Sequence, residues 1–422
     1  MNSSPPDIYR SITFDQTSNW VKARLCIQTQ PPFTSIAHQL QLVFTSGPFL
    51  YSTMRLTLWS GLFFGLALPT LANVPSGITD RDLSILAGSH VIYSWPSTVE
   101  PPNSLLQAVR DGLVGGVILF GENVGNGTPA ALQSLQSAYK ASPAPAVFRK
   151  YVGMDGALFL TTDQEGGKVR RIKDGGPYLT AKQIGASADP AAAGKTAGED
   201  AAASLKRYNF NANLAPVLDI YREAGNFIDS YERSYGNTSA LVSKPATEFV
   251  KAQQAAGIPA TVKHFPGLGA AARQANTDLE PVTLSLTLQE IRNVDEIPYT
   301  YAIAAGVDLV MASWAIYPAM DKLPSGLSSK WIEDELRGRL GFKGVTITDA
   351  LEAGSLAPFG NLPTVSLMAA KAGMDMLLAS ERNVTQGVVV RAALIDALKS
   401  GNLGWADFMA STLRIMTLRK KL

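Results

Sequence analysis

The chain has 422 residues, 46% of them hydrophobic, with 37 basic against 35 acidic side chains and a net charge of +2. That length and apolar content can bury a large core, so a mainly disordered chain is excluded. The even charge balance argues against nucleic acid or an anionic membrane surface as the partner.

Residues 1–53 mix Pro, Ser, Thr and Gln with scattered apolar residues and show no sustained period. They read as a non-native or disordered N-terminal extension. Met54-Arg55 then opens the run LTLWSGLFFGLALPTLA, which closes on small residues at Ala72. A short basic start, an apolar stretch and a small-residue end are the layout of a secretory signal peptide, here 54–72. The apolar part is too short and too interrupted by Gly and Pro for a membrane span, so no stable span is expected after its removal. The expected location is secreted. The only cysteine, Cys26, lies in the extension, so the remaining chain can form no internal disulfide. Asn126, Asn237 and Asn383 begin glycosylation sequons, which matter only if the host glycosylates its exported proteins.

From residue 73 to 422 short apolar runs alternate with longer amphipathic ones. The apolar runs are VIYS (91–94), GVILFG (116–121), ALFLTTD (157–163), FNANLAPVLD (210–219), PATVKHF (259–265), VDLVMAS (307–313), GVTITD (344–349) and MDMLLA (374–379). Short, mostly unalternating apolar runs suit parallel strands buried on both faces. Between them, Leu241, Val242, Phe249 and Val250 fall at helical spacing before Gly257. Thr287 and Glu290 stand at capping-box spacing. Trp331, Ile332, Leu336 and Leu340 share a helical face that stops at Gly341. Eight strand-helix units in about 350 residues predict a single-domain α/β fold, a (β/α)8 TIM barrel over 73–422. A doubly wound open sheet is the runner-up, but the Gly-rich phosphate turn it needs after its first strand is missing.

In such a barrel, chemistry sits at the C-terminal ends of the strands. The ionisable residues gather there, as DQEGGKVRR (163–171), Asp219 followed by ERSYG (232–236), KHFPGLG (263–269) and Thr348-Asp349. Burying so many charges at strand ends is costly without a purpose, which marks them as a site.

These segments, with NLAPVLD (213–219), VMASWAIYPAMD (310–321) and GFKGVTITDAL (341–351), resemble glycoside hydrolase family 3, in particular its single-domain β-N-acetylhexosaminidase branch. They occur in the family's order across nearly the whole chain from about residue 80 onward. The resemblance implies a retaining β-glycosidase acting on O-glycosyl bonds, with Asp349 as the nucleophile that forms a covalent glycosyl-enzyme. It implies that Asp163 accepts hydrogen bonds from sugar hydroxyls. It also implies that Arg171, Arg233, Lys263 and His264 bind the sugar ring or hold that network. Asp219 and Glu165 are weaker candidates that could simply shape the loop. Read without the resemblance, Asp349 could be the N-cap of a following helix, and His264 a satisfied core histidine.

The resemblance breaks in one place. The hexosaminidase branch carries an Asp-Ser-His triplet after KHFPGHG, and its His serves as acid/base. This chain reads KHFPGLGAAARQANTDLEP, with Leu268 in place of the first His and Asp278-Leu279-Glu280 where the triplet would fall. After residue 72 the only histidines are His90 and His264, and neither lies on that loop. Three outcomes stay open. The acid is a loop carboxylate of raised pKa, Asp278 in preference to Glu280. It comes from a partner chain. Or the protein binds sugar and catalyses poorly. The expected substrate is a β-linked glycoside or glycan. β-Glucosidase specificity, a non-catalytic carbohydrate-binding protein, and a transferase or phosphorylase are the alternatives. No cofactor and no metal are expected, because no histidine pair stands at ligand spacing and no nucleotide fingerprint occurs.

Overall fold

A computed structural model describes residues 73–422 throughout and, before them, only the strands Ile8–Gln16, Asn19–Ile27, Gln39–Phe44 and Ser52–Thr57. The chain divides into two units, Met1–Pro69 and Thr70–Leu422. In the first, Ile8–Gln16 pairs antiparallel with Asn19–Ile27, and Gln39–Phe44 with Ser52–Thr57. The apolar stretch of the expected signal peptide, 58–72, lies outside the described residues.

The second unit is the expected barrel. Seven parallel strands run in the order Thr261–Phe265, Leu309–Ala312, Val345–Ala350, Met376–Leu378, Val91–Tyr93, Gly116–Ile118 and Phe159–Thr161. Every neighbouring pair is parallel. The eighth apolar run, 210–219, is not a regular strand. Pro216 has no N–H to give a ladder, so it could not be one along its whole length. It still closes the cylinder. On one side the N–H of Ala212 donates to the Leu160 carbonyl at 3.1 Å, and that of Leu214 to Thr162 at 3.0 Å. On the other, Thr261 donates to Ala215 at 3.0 Å and Leu218 to Lys263 at 2.7 Å. Side-chain oxygens supply what the broken ladder lacks: Asn211 accepts from the Leu160 N–H at 2.7 Å and Asn213 from Gln164 at 2.9 Å.

Helices cover the outside. Ser239–Ala255 buries Val242, Phe249 and Val250 as expected, while Leu241 stays partly in solvent. Thr287 caps its helix through the predicted box with Glu290. Lys330–Arg339 buries Trp331, Ile332 and Leu336, but it winds in wider π-type turns. Trp331 and Tyr299 both meet Phe265 edge-on behind the Thr261–Phe265 strand. Each such large apolar side chain, taken fully out of water, adds about 1.5–3 kcal/mol. That packing holds the strand ends still where the site is built.

Candidate active site

The strand Val345–Ala350 is buried through Thr348 and emerges at Asp349, because its apolar residues belong to the core and the carboxylate does not. Asp349 accepts the Ala350 N–H at 2.8 Å through Oδ1. No residue among those described bonds its second oxygen. The N-cap alternative fails, since the short helix that follows starts only at Gly354.

Asp349 lines a cavity of about 520 Å³ at the C-terminal ends of the strands. Asp163, Glu165, Arg171, Arg233, Lys263, His264 and Asp278 share its wall. The floor is an interlocked ion network. Lys263, 2% exposed, reaches Asp163 at 2.7 Å and Glu165 at 2.8 Å. Arg233 grips Glu165 with two parallel bonds of 2.9 and 2.8 Å, the strong fork-to-fork geometry. Arg171 meets the other oxygen of Asp163 at 3.3 Å. Burial opposes ionisation of Asp163, but Lys263 and Arg171 overcome it and hold that carboxyl well below the usual range. Glu165 is likewise pulled down to about 2 by Arg233 and Lys263, against its burial.

His264 is tied to the floor from both nitrogens. Asp219 sits 2.6 Å from Nδ1, and Nε2 faces the Arg233 guanidinium at 3.4 Å. Asp219 also accepts the backbone N–H groups of His264 at 3.2 Å and Leu268 at 2.7 Å. That arrangement assigns the Nδ1 proton to the Asp219 bond and leaves Nε2 as acceptor toward Arg233.

The loop that lacks the histidine folds over the strand carrying Asp349. Gly354 donates to the Asp278 carbonyl at 2.8 Å, and Ser355 to Thr277 at 3.2 Å. Asn276 turns the loop by accepting the Asp278 N–H on Oδ1 at 2.9 Å. Asp278 stands at the rim. Burial raises its carboxyl, and the nearby Asp349 carboxylate raises it further. Glu280 does not join them: both residues are exposed to solvent, but Asp278 lines the cavity while Glu280 faces a separate surface groove with Ala270 and Pro281.

The sequence patterns passed over Phe120, Phe227, Tyr231, Glu352 and Arg382, which also line the cavity. They underrated Glu165, which bridges Lys263 and Arg233. Position alone could have found Phe120 and Arg382, since each follows the end of a strand. Glu352 accepts from Ser380 Oγ at 2.7 Å and from Gln386 Nε2 at 3.1 Å.

Residues 91–418 match the glycosyl hydrolase family 3 N-terminal domain. The chain belongs to glycosyl hydrolase family 3. Within this family it is 52% identical, over 83% of its length and 97% of the relative's, to an uncharacterized secreted glycosyl hydrolase of Arthroderma benhamiae. It is 32% identical to a beta-hexosaminidase of Xylella fastidiosa, over 72% of this chain and 89% of that one. Its fold superimposes with a TM-score of 0.73 on a family 3 beta-N-acetylglucosaminidase from Paenibacillus sp. str. FPU-7. The two are 31% identical over 80% of this chain and 62% of that longer one. The family 3 chain is therefore a glycoside hydrolase, and its substrate is a carbohydrate. No described helix is long and apolar enough to cross a membrane.

Proposed function

We propose that this family 3 chain is a retaining β-N-acetylhexosaminidase in which Asp349 is the nucleophile and Asp278 the general acid/base. The observation that carries the reading is the Asp349 carboxylate. It stands with one oxygen unbonded in a charged cavity whose rim holds a second carboxyl of raised pKa.

In the first step an Asp349 oxygen bonds to the anomeric carbon as the C1–O bond breaks, and the Asp278 proton passes to the leaving oxygen. In the second, water attacks the same carbon, Asp278 takes its proton and Asp349 leaves as carboxylate. Asp163, Lys263, Arg233, Arg171 and His264 hold the sugar hydroxyls through charge-assisted hydrogen bonds. His264 is a poor choice for the acid, since Nε2 accepts from a guanidinium and Nδ1 is committed to Asp219. Glu280 faces another groove and is set aside in favour of Asp278, which lines the cavity. The hexosaminidase specificity is supported by what the Xylella and Paenibacillus proteins are called. Secretion is supported by the name of the Arthroderma relative, by the run 54–72, and by the exposure of Asn126, Asn237 and Asn383.

The test is hydrolysis of aryl β-N-acetylglucosaminide against aryl β-glucoside, with the first anomer released followed by NMR. The β-anomer from the acetamido sugar, lost in Asp349→Asn, is expected. The α-anomer, or full turnover in Asp349→Asn, would remove the covalent mechanism. Preference for the glucoside would change the substrate and leave the chemistry.

A further inference from the structure

Single exposed aromatic rings are common on protein surfaces, but one that also lines a polar cavity is placed where a ligand can meet it. Three aromatic side chains line the cavity. Phe120 is already covered, with the Arg382 guanidinium 4.2 Å from its ring centre. Phe227 is 9% exposed. Tyr231 is 53% exposed, and among the described residues no cation stacks on it and its hydroxyl has no hydrogen-bond partner.

The turn that displays Tyr231 is held by several hydrogen bonds and ion pairs. Asn226 caps its short helix by accepting from Asp229 at 3.1 Å and donates to the Gly269 carbonyl at 2.7 Å. The Asp229 carboxylate holds Lys182 at 2.7 Å and the Gly225 N–H at 2.7 Å. Next in the chain, Glu232 takes the left-handed region at φ 58°, with its carboxylate 2.9 Å from Lys168. Phe227 props the Tyr231 ring edge-on, centroids 6.1 Å apart. An aromatic face held this way loses little freedom when a ligand covers it.

We infer that Tyr231 is the stacking platform for a second sugar ring, on the leaving-group side of the bond that is cut. The inference rests on the glycosidase reading above. A pyranose presents hydroxyls at its edges and C–H groups on its faces. The charged floor of Asp163, Glu165, Lys263 and Arg233 satisfies hydroxyls, and the apolar lining of Ile118, Leu214 and Met311 lies within the cavity, so a second ring outside it still needs an apolar surface for its C–H face. Tyr231 supplies that surface at the rim, where a ring joined to the floor-bound sugar must emerge. The preferred substrate is then an oligosaccharide rather than a simple alkyl glycoside.

The experiment compares kcat/KM for the β-1,4-linked disaccharide of N-acetylglucosamine with that for methyl β-N-acetylglucosaminide, in the wild type, Tyr231→Ala and Tyr231→Phe. Tyr231→Ala is expected to lower the disaccharide-to-methyl ratio by about tenfold, mostly through KM, the scale of one aromatic contact. Tyr231→Phe should restore the ratio, because the ring and not the hydroxyl does the stacking. A ratio unchanged in Tyr231→Ala overturns the platform, whether both rates fall together or neither falls. A wild type that cleaves neither compound fails at the glycosidase reading itself, a result separate from the ratio.

Discussion

Gly354 donates its N–H to the carbonyl of Asp278 at 2.8 Å, which ties the proposed acid to the turn just beyond the nucleophile's strand. With the bond from Ser355 to Thr277, it links the two carboxylates of the proposed mechanism through the backbone. The approach is so close that a Cβ at position 354 would lie 2.2 Å from the Leu279 carbonyl oxygen. Only glycine fits there without moving the loop.

Gly354→Ala should therefore push the Asp278 loop outward. Displacing a catalytic group by about an ångström costs on the order of 100-fold in rate. The loss should appear in kcat on a substrate with a poor leaving group, and shrink on an activated aryl glycoside that needs little protonation. Equal loss on both would show general damage to the pocket instead.

Asp278 should set the alkaline limb of the pH–rate profile. Its carboxyl is raised, first by burial and then by Asp349, so it stays protonated above the pH at which an ordinary aspartate ionises. Activity falls as pH rises through that value, since the acid is then spent. Asp278→Asn should lower kcat strongly on poor leaving groups and abolish that limb. A raised carboxyl favours the fold while protonated and loses that contribution as pH rises, so Asp278→Asn should unfold no earlier than wild type at pH 7.

Lys263→Met removes the cation that both Asp163 and Glu165 share. Two buried carboxylates are then left against Arg233 and Arg171 alone. Breaking a buried ion pair from one side costs about 3–5 kcal/mol. Denaturant unfolding should record a loss of that size, together with a large rise in KM. In the wild type these depressed carboxyls stabilise the fold above their unfolded pKa values. That contribution is lost as pH falls toward the folded value of Glu165, about 2.

Asp295 gives a second pH signature beneath the site. It touches Gly267 in the turn after Lys263 and His264, and it pairs with Arg222. Burial raises its carboxyl to about 7, with Asp219 adding to the rise and Arg222 opposing it. Tyr299 and Tyr317 are buried beside it and neutral in this range. A raised carboxyl contributes stability that is complete below its unfolded value near 4 and is lost as pH climbs through 7. The melting temperature of the wild type should thus decline between about pH 5 and 8 more than that of Asp295→Asn. Parallel curves for the two proteins would exclude the effect.

The sequence by itself determined the barrel, its strand ends and the position of the carboxylate proposed as nucleophile. Short unalternating apolar runs that repeat between helical patterns suit strands covered on both faces, and a carboxylate closing such a run lies at the strand's C-terminal end. It also carried the family, through motifs spread over the whole chain. Local pattern could not reveal that the run 210–219 closes the barrel irregularly, through the side chains of Asn211 and Asn213. It preferred Asp278 to Glu280, two residues apart on one loop, but that they line different surfaces is read only from the tertiary structure. Tyr231, Phe120, Arg382 and Glu352 carry no motif, and Glu165 owes its importance to Lys263 and Arg233, far away in the chain. These were decided by the tertiary structure alone, because a cavity is a property of distances between segments, and spacing along a chain records only distances within one.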